Sequence, residues 1–274
     1  MAIDSINLNG MGIMTMIKGG IHMDSCNAWN GYAKEFNEFS SFDTKKIHTG
    51  LGLKGINPAE IANNAKTILD IGCGDGSNTY LLHSVNHGET IGVDVASVSI
   101  DSANRNYSKY GCRFYNMDFD RCCVDFGNIN FDLITFFGSA DYIKIDDEFM
   151  RKINNISHIN SRCIITKFHP MWTTLYGNDI EDQNINCYFD DGRIDGIPYG
   201  TKHEFILNRY HYSISHIVST YIKNGWKLNQ LLEPKPSIKD ASFEYKNYNT
   251  DEVLMERLSA IPMTIIYEFE RICN

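Results

Sequence analysis

The chain has 274 residues, 43% apolar and 22% charged, with a formal net charge of −9. That supplies one sizeable core, or two at most. No Lys/Arg block interrupts the acidic balance, which argues against nucleic acid and anionic membrane as partners, and no apolar run reaches the roughly 18 residues that span a bilayer.

Residues 1–23 hold five of the ten methionines and four glycines. They lack the apolar centre and small-residue cleavage site of a signal peptide. They read as a disordered extension, with Met23 as an alternative start. Residues 24–66 read as a helical cover, broken in places, in which Trp29, Tyr32, Phe36 and Phe39 recur on one helix face. Strands and helices then alternate. The spacing predicts strand Thr67–Ile71, helix Asn78–Val85, strand Thr90–Val93, helix Val98–Tyr110 and strand Arg113–Tyr115. Strand Phe131–Phe137, helix Asp146–Ile159 and strand Cys163–Phe168 follow. This rhythm predicts an α/β fold with a parallel, doubly wound sheet. Residues 169–212 show no clear period and read as a lid. Their acids, among them Asp190 and Asp191, suit an acceptor that carries an amine. The pattern resumes with helix Ser213–Asn224, strand Trp226–Leu232, helix Asp251–Ala260 and strand Met263–Phe269.

The eight cysteines form no C-x-x-C pair. They read as reduced thiols of a cytoplasmic protein, without a disulfide framework or a structural metal site.

The most informative segment runs from Ile68 to Ser77: an apolar strand ending in Asp70-Ile71, then Gly72-Cys73-Gly74-Asp75-Gly76. Glycines there let backbone approach a ligand, and the helix that follows offers free amides and a positive dipole end. A dinucleotide fingerprint needs its third glycine one place later, where this chain has Ser77. The acid at Asp70 also disfavours a pyrophosphate and suits a sulfonium amino acid with a free ammonium. About twenty residues on, Asp94 followed by Val95 ends the second strand, where an acid can accept from both ribose hydroxyls. Asp118 and Phe119 end the third, where an acid can meet an adenine amino group and an apolar ring can cover the base. Each acid also suits a plain capping role.

The ordered set Asp70–Gly76, Asp94, Asp118 and Phe131–Tyr142 resembles the class I S-adenosylmethionine-dependent methyltransferases, with Rossmann-like architecture over residues 67–274. The resemblance implies a seven-stranded sheet of order 3-2-1-4-5-7-6, its last strand antiparallel. It implies S-adenosylmethionine as cofactor and S-adenosylhomocysteine as product. Cofactor-binding residues would be Asp70, Gly72, Cys73, Gly74, Asp94, Val95, Asp118, Phe119 and Phe137. A narrower resemblance joins the chain to bacterial methyltransferases of small molecules, through Trp29 to Tyr32, Asp141-Tyr142-Ile143, Tyr210-His211-Tyr212 and Gly225-Trp226 through Glu233-Pro234-Lys235-Pro236. The chain carries Asp141 where those enzymes often carry His. Candidates to contact or deprotonate the acceptor are Asp141, His169, His211 and Tyr32. The expected acceptor is a small molecule methylated on O, N or C. The expected assembly is a monomer or homodimer, without nucleic acid, membrane or metal. The alternative is a non-catalytic, cofactor-binding partner subunit.

Overall fold

The computed structural model describes residues 16–17, 20–22, 25–39, 45–49, 55–86, 88–176, 187–196, 205–235 and 260–273. In chain order the elements begin with β1 (Met16–Ile17), β2 (Gly20–His22), α1 (Ser25–Phe39), α2 (Pro58–Ala62), β3 (Thr67–Ile71), α3 (Ser77–Asn86), β4 (Glu89–Asp94) and α4 (Ser97–Tyr107). They continue with β5 (Arg113–Asn116), α5 (Phe119–Asp125), β6 (Phe131–Phe137), α6 (Asp147–Asn155), β7 (Ser157–Phe168) and α7 (Pro170–Tyr176). Last come β8 (Gly192–Gly196), β9 (Phe205–His211), α8 (Ile214–Lys223), β10 (Trp226–Leu232) and β11 (Thr264–Arg271).

The main sheet has seven strands in the order β10-β11-β7-β6-β3-β4-β5. Neighbours from β5 to β7 run parallel, and β11 lies antiparallel to both β7 and β10. Counted within this sheet alone, the order is 3-2-1-4-5-7-6. The short apolar runs of β3, β6 and β7 are buried on both faces, as parallel strands under two helix layers must be. Ile68, Leu133, Ile164 and Ile266 face Ile61 of α2 and Leu81 and Leu82 of α3. Leu69, Ile134, Ile165 and Ile265 face Phe149 and Ile153 of α6 and Ile217 and Tyr221 of α8. Among the described residues, no helix is long and apolar enough to cross a membrane.

Four expectations change. The helix expected over Asp146–Ile159 stops at Asn155, and its last residues open β7. Ser161 explains the switch: its hydroxyl donates to Phe131 O and accepts from His158 N, holding a bulge between β7 and β6. Asp118 caps an unanticipated helix, α5, by accepting from Arg121 N. The expected lid at 169–212 holds regular structure: α7, then the antiparallel pair β8–β9. The expected disordered extension contributes β1 and β2, and β2 runs parallel to β9, giving a second sheet of order β1-β2-β9-β8. Cross-strand pairing between segments far apart in sequence leaves little local period to read. Residues 1–15, 18–19 and 23 of that extension lie outside the described residues. So do residues 177–186 and 197–204 of the lid, and all of the expected helix Asp251–Ala260 except Ala260.

Candidate functional site

The carboxyl ends of β3 to β7 open on a cavity of about 770 Å³. Its floor begins at the β3–α3 turn. Gly72, Gly74 and Gly76 all have positive φ, at +73°, +56° and +82°. Two of them serve different ends. A side chain on Gly72 would meet Ser139 Cβ at 2.3 Å, whereas one on Gly74 would meet nothing within 4 Å. Gly72 therefore lets the turn pass against the end of β6, and Gly74 keeps the cavity open above it. The Gly72 and Cys73 amides both donate to Val93 O, fastening the turn to β4.

Asp70 lies beneath this turn and is 1% exposed. Thr79 of α3 donates to one carboxylate oxygen at 2.6 Å and Thr135 of β6 to the other at 2.9 Å. Burial raises its pKa from 3.8 to about 6, against the pull of the two threonine bonds. Asp94 accepts from Gly74 N at 2.9 Å and from Ala96 N at 2.8 Å, one bond on each oxygen. Burial raises its pKa too, opposed by these two amides. Each oxygen keeps acceptor capacity for a ligand. Cys73, Val95, Asp118, Phe119 and Phe137 also line the cavity. All nine residues expected to bind the cofactor thus border one space. The open ground over Gly74, with a carboxylate behind it, fits a ligand carrying both a hydroxylated ring and a cation.

Another part of the cavity wall is aromatic. Trp29 of α1 packs edge-on against Tyr32 at 5.3 Å and against Tyr142 at 4.6 Å. Burial lifts the Tyr32 phenol well above its ordinary range and the Tyr142 phenol to about 12. Both therefore remain neutral hydroxyls at physiological pH. Helix α1 is docked by Asn30, whose side-chain oxygen accepts from Val98 N at the start of α4, and by the Cys26 thiol, which donates to Val95 O. No pattern in the sequence marks Asn30 for this task. Nor does any pattern in the sequence mark Ser139, Thr79, Thr135, His48 or Thr49.

The three acid–base candidates are all engaged. Asp141 lines the cavity, but Oδ1 pairs with Lys167 Nζ at 2.8 Å and Oδ2 accepts from Phe168 N at 3.0 Å. His169 and His211 do not line it. His169 Nδ1 accepts from Met171 N, so the ring proton sits on Nε2 and points at Glu233 Oε1, 2.8 Å away. His211 bridges Thr173 Oγ1 and Tyr188 O. These histidines tie α7 and the β8–β9 pair to the body. The acids expected to face a cationic acceptor do not line the cavity where they are described. Asp190 is exposed, and Asp191 accepts from Ser213 N at 2.6 Å at the start of α8.

Two outcomes follow from these contacts. Lys167 Nζ is buried among Asp141, Ala140 O and Tyr210 O. Asp141→Asn strands that cation and should cost about 3–5 kcal/mol in equilibrium denaturation. The double variant Asp141→Asn/Lys167→Met should recover most of the loss. A single variant as stable as wild type would return Asp141 to the list of groups free to act on the acceptor. Asp70 behaves in the opposite sense. Its folded pKa lies above its unfolded value, so its contribution to stability is full below about pH 4 and lost as pH rises through about 6. Asp70→Asn should therefore raise the melting temperature of the ligand-free protein at pH 7 relative to wild type, with the advantage vanishing near pH 4. An advantage that persists unchanged at pH 4 contradicts this.

A family described as a methyltransferase domain matches residues 62–209. An uncharacterized protein of Rickettsia prowazekii is 28% identical over 133 residues, which is 48% of this chain and 22% of that protein. The chain thus spans about a fifth of the curated relative it matches. Among solved structures, an S-adenosylmethionine dependent methyltransferase from Mesorhizobium loti superposes with a TM-score of 0.55 at 17% identity, covering 75% of this chain and 90% of that one. The CcbJ methyltransferase from Streptomyces caelestis gives 0.53 at 12% identity, covering 78% and 86%. A chain from the complex containing the Haloferax volcanii Trm112 methyltransferase activator gives 0.58 at 12% identity, covering 92% and 97%. Identities this low speak to the fold alone. The family match covers more than half of the sequence, and with it the chain belongs to the S-adenosylmethionine-dependent methyltransferases of the class I, Rossmann-like fold.

Proposed function

We propose that the chain transfers the methyl group of S-adenosylmethionine to an oxygen, nitrogen or carbon atom of a small molecule, by in-line displacement. One observation carries this reading. The cavity runs from Asp118 and Asp94 to an aromatic wall, Trp29, Tyr32 and Tyr142, beneath a docked helix. In this reading Asp94 accepts from the ribose hydroxyls and Asp118 meets the adenine, with Phe119 and Val95 against its faces. Gly72, Cys73 and Gly74 follow the amino-acid portion above Asp70, and Phe137 closes the side nearest the acceptor. Residues 24–66 act as the cover, and residues 169–212 close the acceptor end.

The donor supplies an already activated methyl group, so the protein's task is alignment and exclusion of water. The engagement of Asp141, His169 and His211 supports an acceptor that is already nucleophilic when it binds and needs no dedicated base. The neutral Tyr32 and Tyr142 hydroxyls can orient it by hydrogen bonding.

The test is incubation of the protein with methyl-labelled donor and, in parallel, pooled metabolites, total protein or total RNA, beside calorimetry with S-adenosylhomocysteine. Label should pass to a small acceptor. Asp94→Ala should weaken S-adenosylhomocysteine binding by about 1–3 kcal/mol, the scale of hydrogen bonds to a charged acceptor. Label found only in protein or RNA would contradict the small-molecule reading. Tight binding with no transfer to any acceptor class would favour a non-catalytic subunit.

A further inference from the structure

A second segment reaches the cavity from before the sheet. Residues 45–49 pair with Ile56 through Ile47 and are fastened to the start of α3 by a reciprocal amide pair. His48 N donates to Asn78 Oδ1 at 2.9 Å, and Asn78 Nδ2 donates to His48 O at 2.9 Å. The next residue, Thr49, lines the cavity and is 3% exposed, and its hydroxyl has no hydrogen-bond partner among the described residues. A buried hydroxyl left unsatisfied is costly, so its retention calls for a partner that arrives from outside. The surroundings indicate which kind. Helix α3 has ten residues, and its first-turn amides lack intrahelical carbonyls. The Ser77 amide is taken by Asp75 Oδ1, while those of Asn78 and Thr79 come next along the same turn. A hydroxyl donor beside a helix N-terminus selects a negative group.

The sheet order tells which part of the donor lies there. From β5 to β4 to β3, the cavity passes Asp118, then Asp94, then the turn over Asp70. A donor laid along this path carries its amino-acid end to the start of α3. Its ammonium belongs with Asp70, and its carboxylate remains to be matched.

We propose that Thr49 is a donor-binding residue: its hydroxyl, held in place by the His48–Asn78 pair, bonds the carboxylate of the amino-acid end of S-adenosylmethionine. This rests on the donor's lying in the cavity, and the test separates the two. The probes are S-adenosylhomocysteine and its decarboxylated analogue, which lacks only that carboxylate. Their affinities for wild type, Thr49→Val and Thr49→Ser are measured by calorimetry. Thr49→Val should weaken S-adenosylhomocysteine about tenfold, the scale of one hydrogen bond to a charged group, and leave the analogue within twofold. Thr49→Ser should keep most of the wild-type affinity. In the ligand-free protein, Thr49→Val should melt no lower than wild type, because it removes an unsatisfied hydroxyl. Equal affinities for S-adenosylhomocysteine in wild type and Thr49→Val, or parallel loss of both ligands, overturns the assignment. A lower melting temperature for ligand-free Thr49→Val also overturns it, since the hydroxyl then serves the fold. Failure of wild type to bind either probe removes the donor from this cavity, and the assignment with it.

Discussion

The buried Asp70 carboxylate is the constraint on which the rest of the site depends. Its two threonine partners come from α3 and β6, so one side chain joins the central strand, the helix after the turn and the neighbouring strand. Burying a charge at a strand end is unfavourable, as its raised pKa records. The cost is tolerable where the same charge faces a cationic ligand. Around it, Gly72 makes room for Ser139, and the Gly72 and Cys73 amides bind Val93 O. The turn, β4 and the end of β6 are therefore set relative to one another before any ligand arrives. Such preorganisation suits a reaction in which alignment does most of the chemical work.

The polar groups around α7, β8–β9 and the start of α8 are committed to holding the enclosure together. His169 and His211 fasten α7 and β8–β9, and Asp191 holds the start of α8. The Asp141–Lys167 pair closes the junction of β6 and β7. What faces the cavity from α1 and from the end of β6 is aromatic and neutral at Trp29, Tyr32 and Tyr142. Asp141, Lys167 and Arg209 line the same cavity, so the phenol hydroxyls share it with charged groups.

How much of this is legible in the sequence differs by element. The run Ile68–Ser77 can be read because strand, acid, glycines and helix start are contiguous, and their chemistry is local. The same holds for Asp94, at the end of β4, and Asp118, two residues past the end of β5. The sheet order could not come from periodicity, because nothing in β11 itself says that it slots between β7 and β10. It came from resemblance. The β1-β2-β9-β8 sheet has no local signature, because β2 and β9 pair across 184 residues. Asp141, His169 and His211 looked like chemistry because residue type alone does not reveal partners. Lys167, Glu233, Thr173 and Tyr188 lie 23 to 64 residues from the groups they engage, and no local signal links them. Thr49 and Asn30 carried no signal, since a threonine after a histidine and an asparagine within a helix are ordinary.

In the proposed reading, the ends of β3, β4 and β5 and the underside of α1 form one donor site. Amide hydrogen exchange, followed by mass spectrometry with and without saturating S-adenosylhomocysteine, tests it most directly. Slowed exchange is expected in Gly72–Gly76, around Asp94–Ala96 and Asp118–Phe119, and in α1, with little change in β10. Unchanged exchange in the Gly72–Gly76 turn, or equal protection there by NAD, would contradict it.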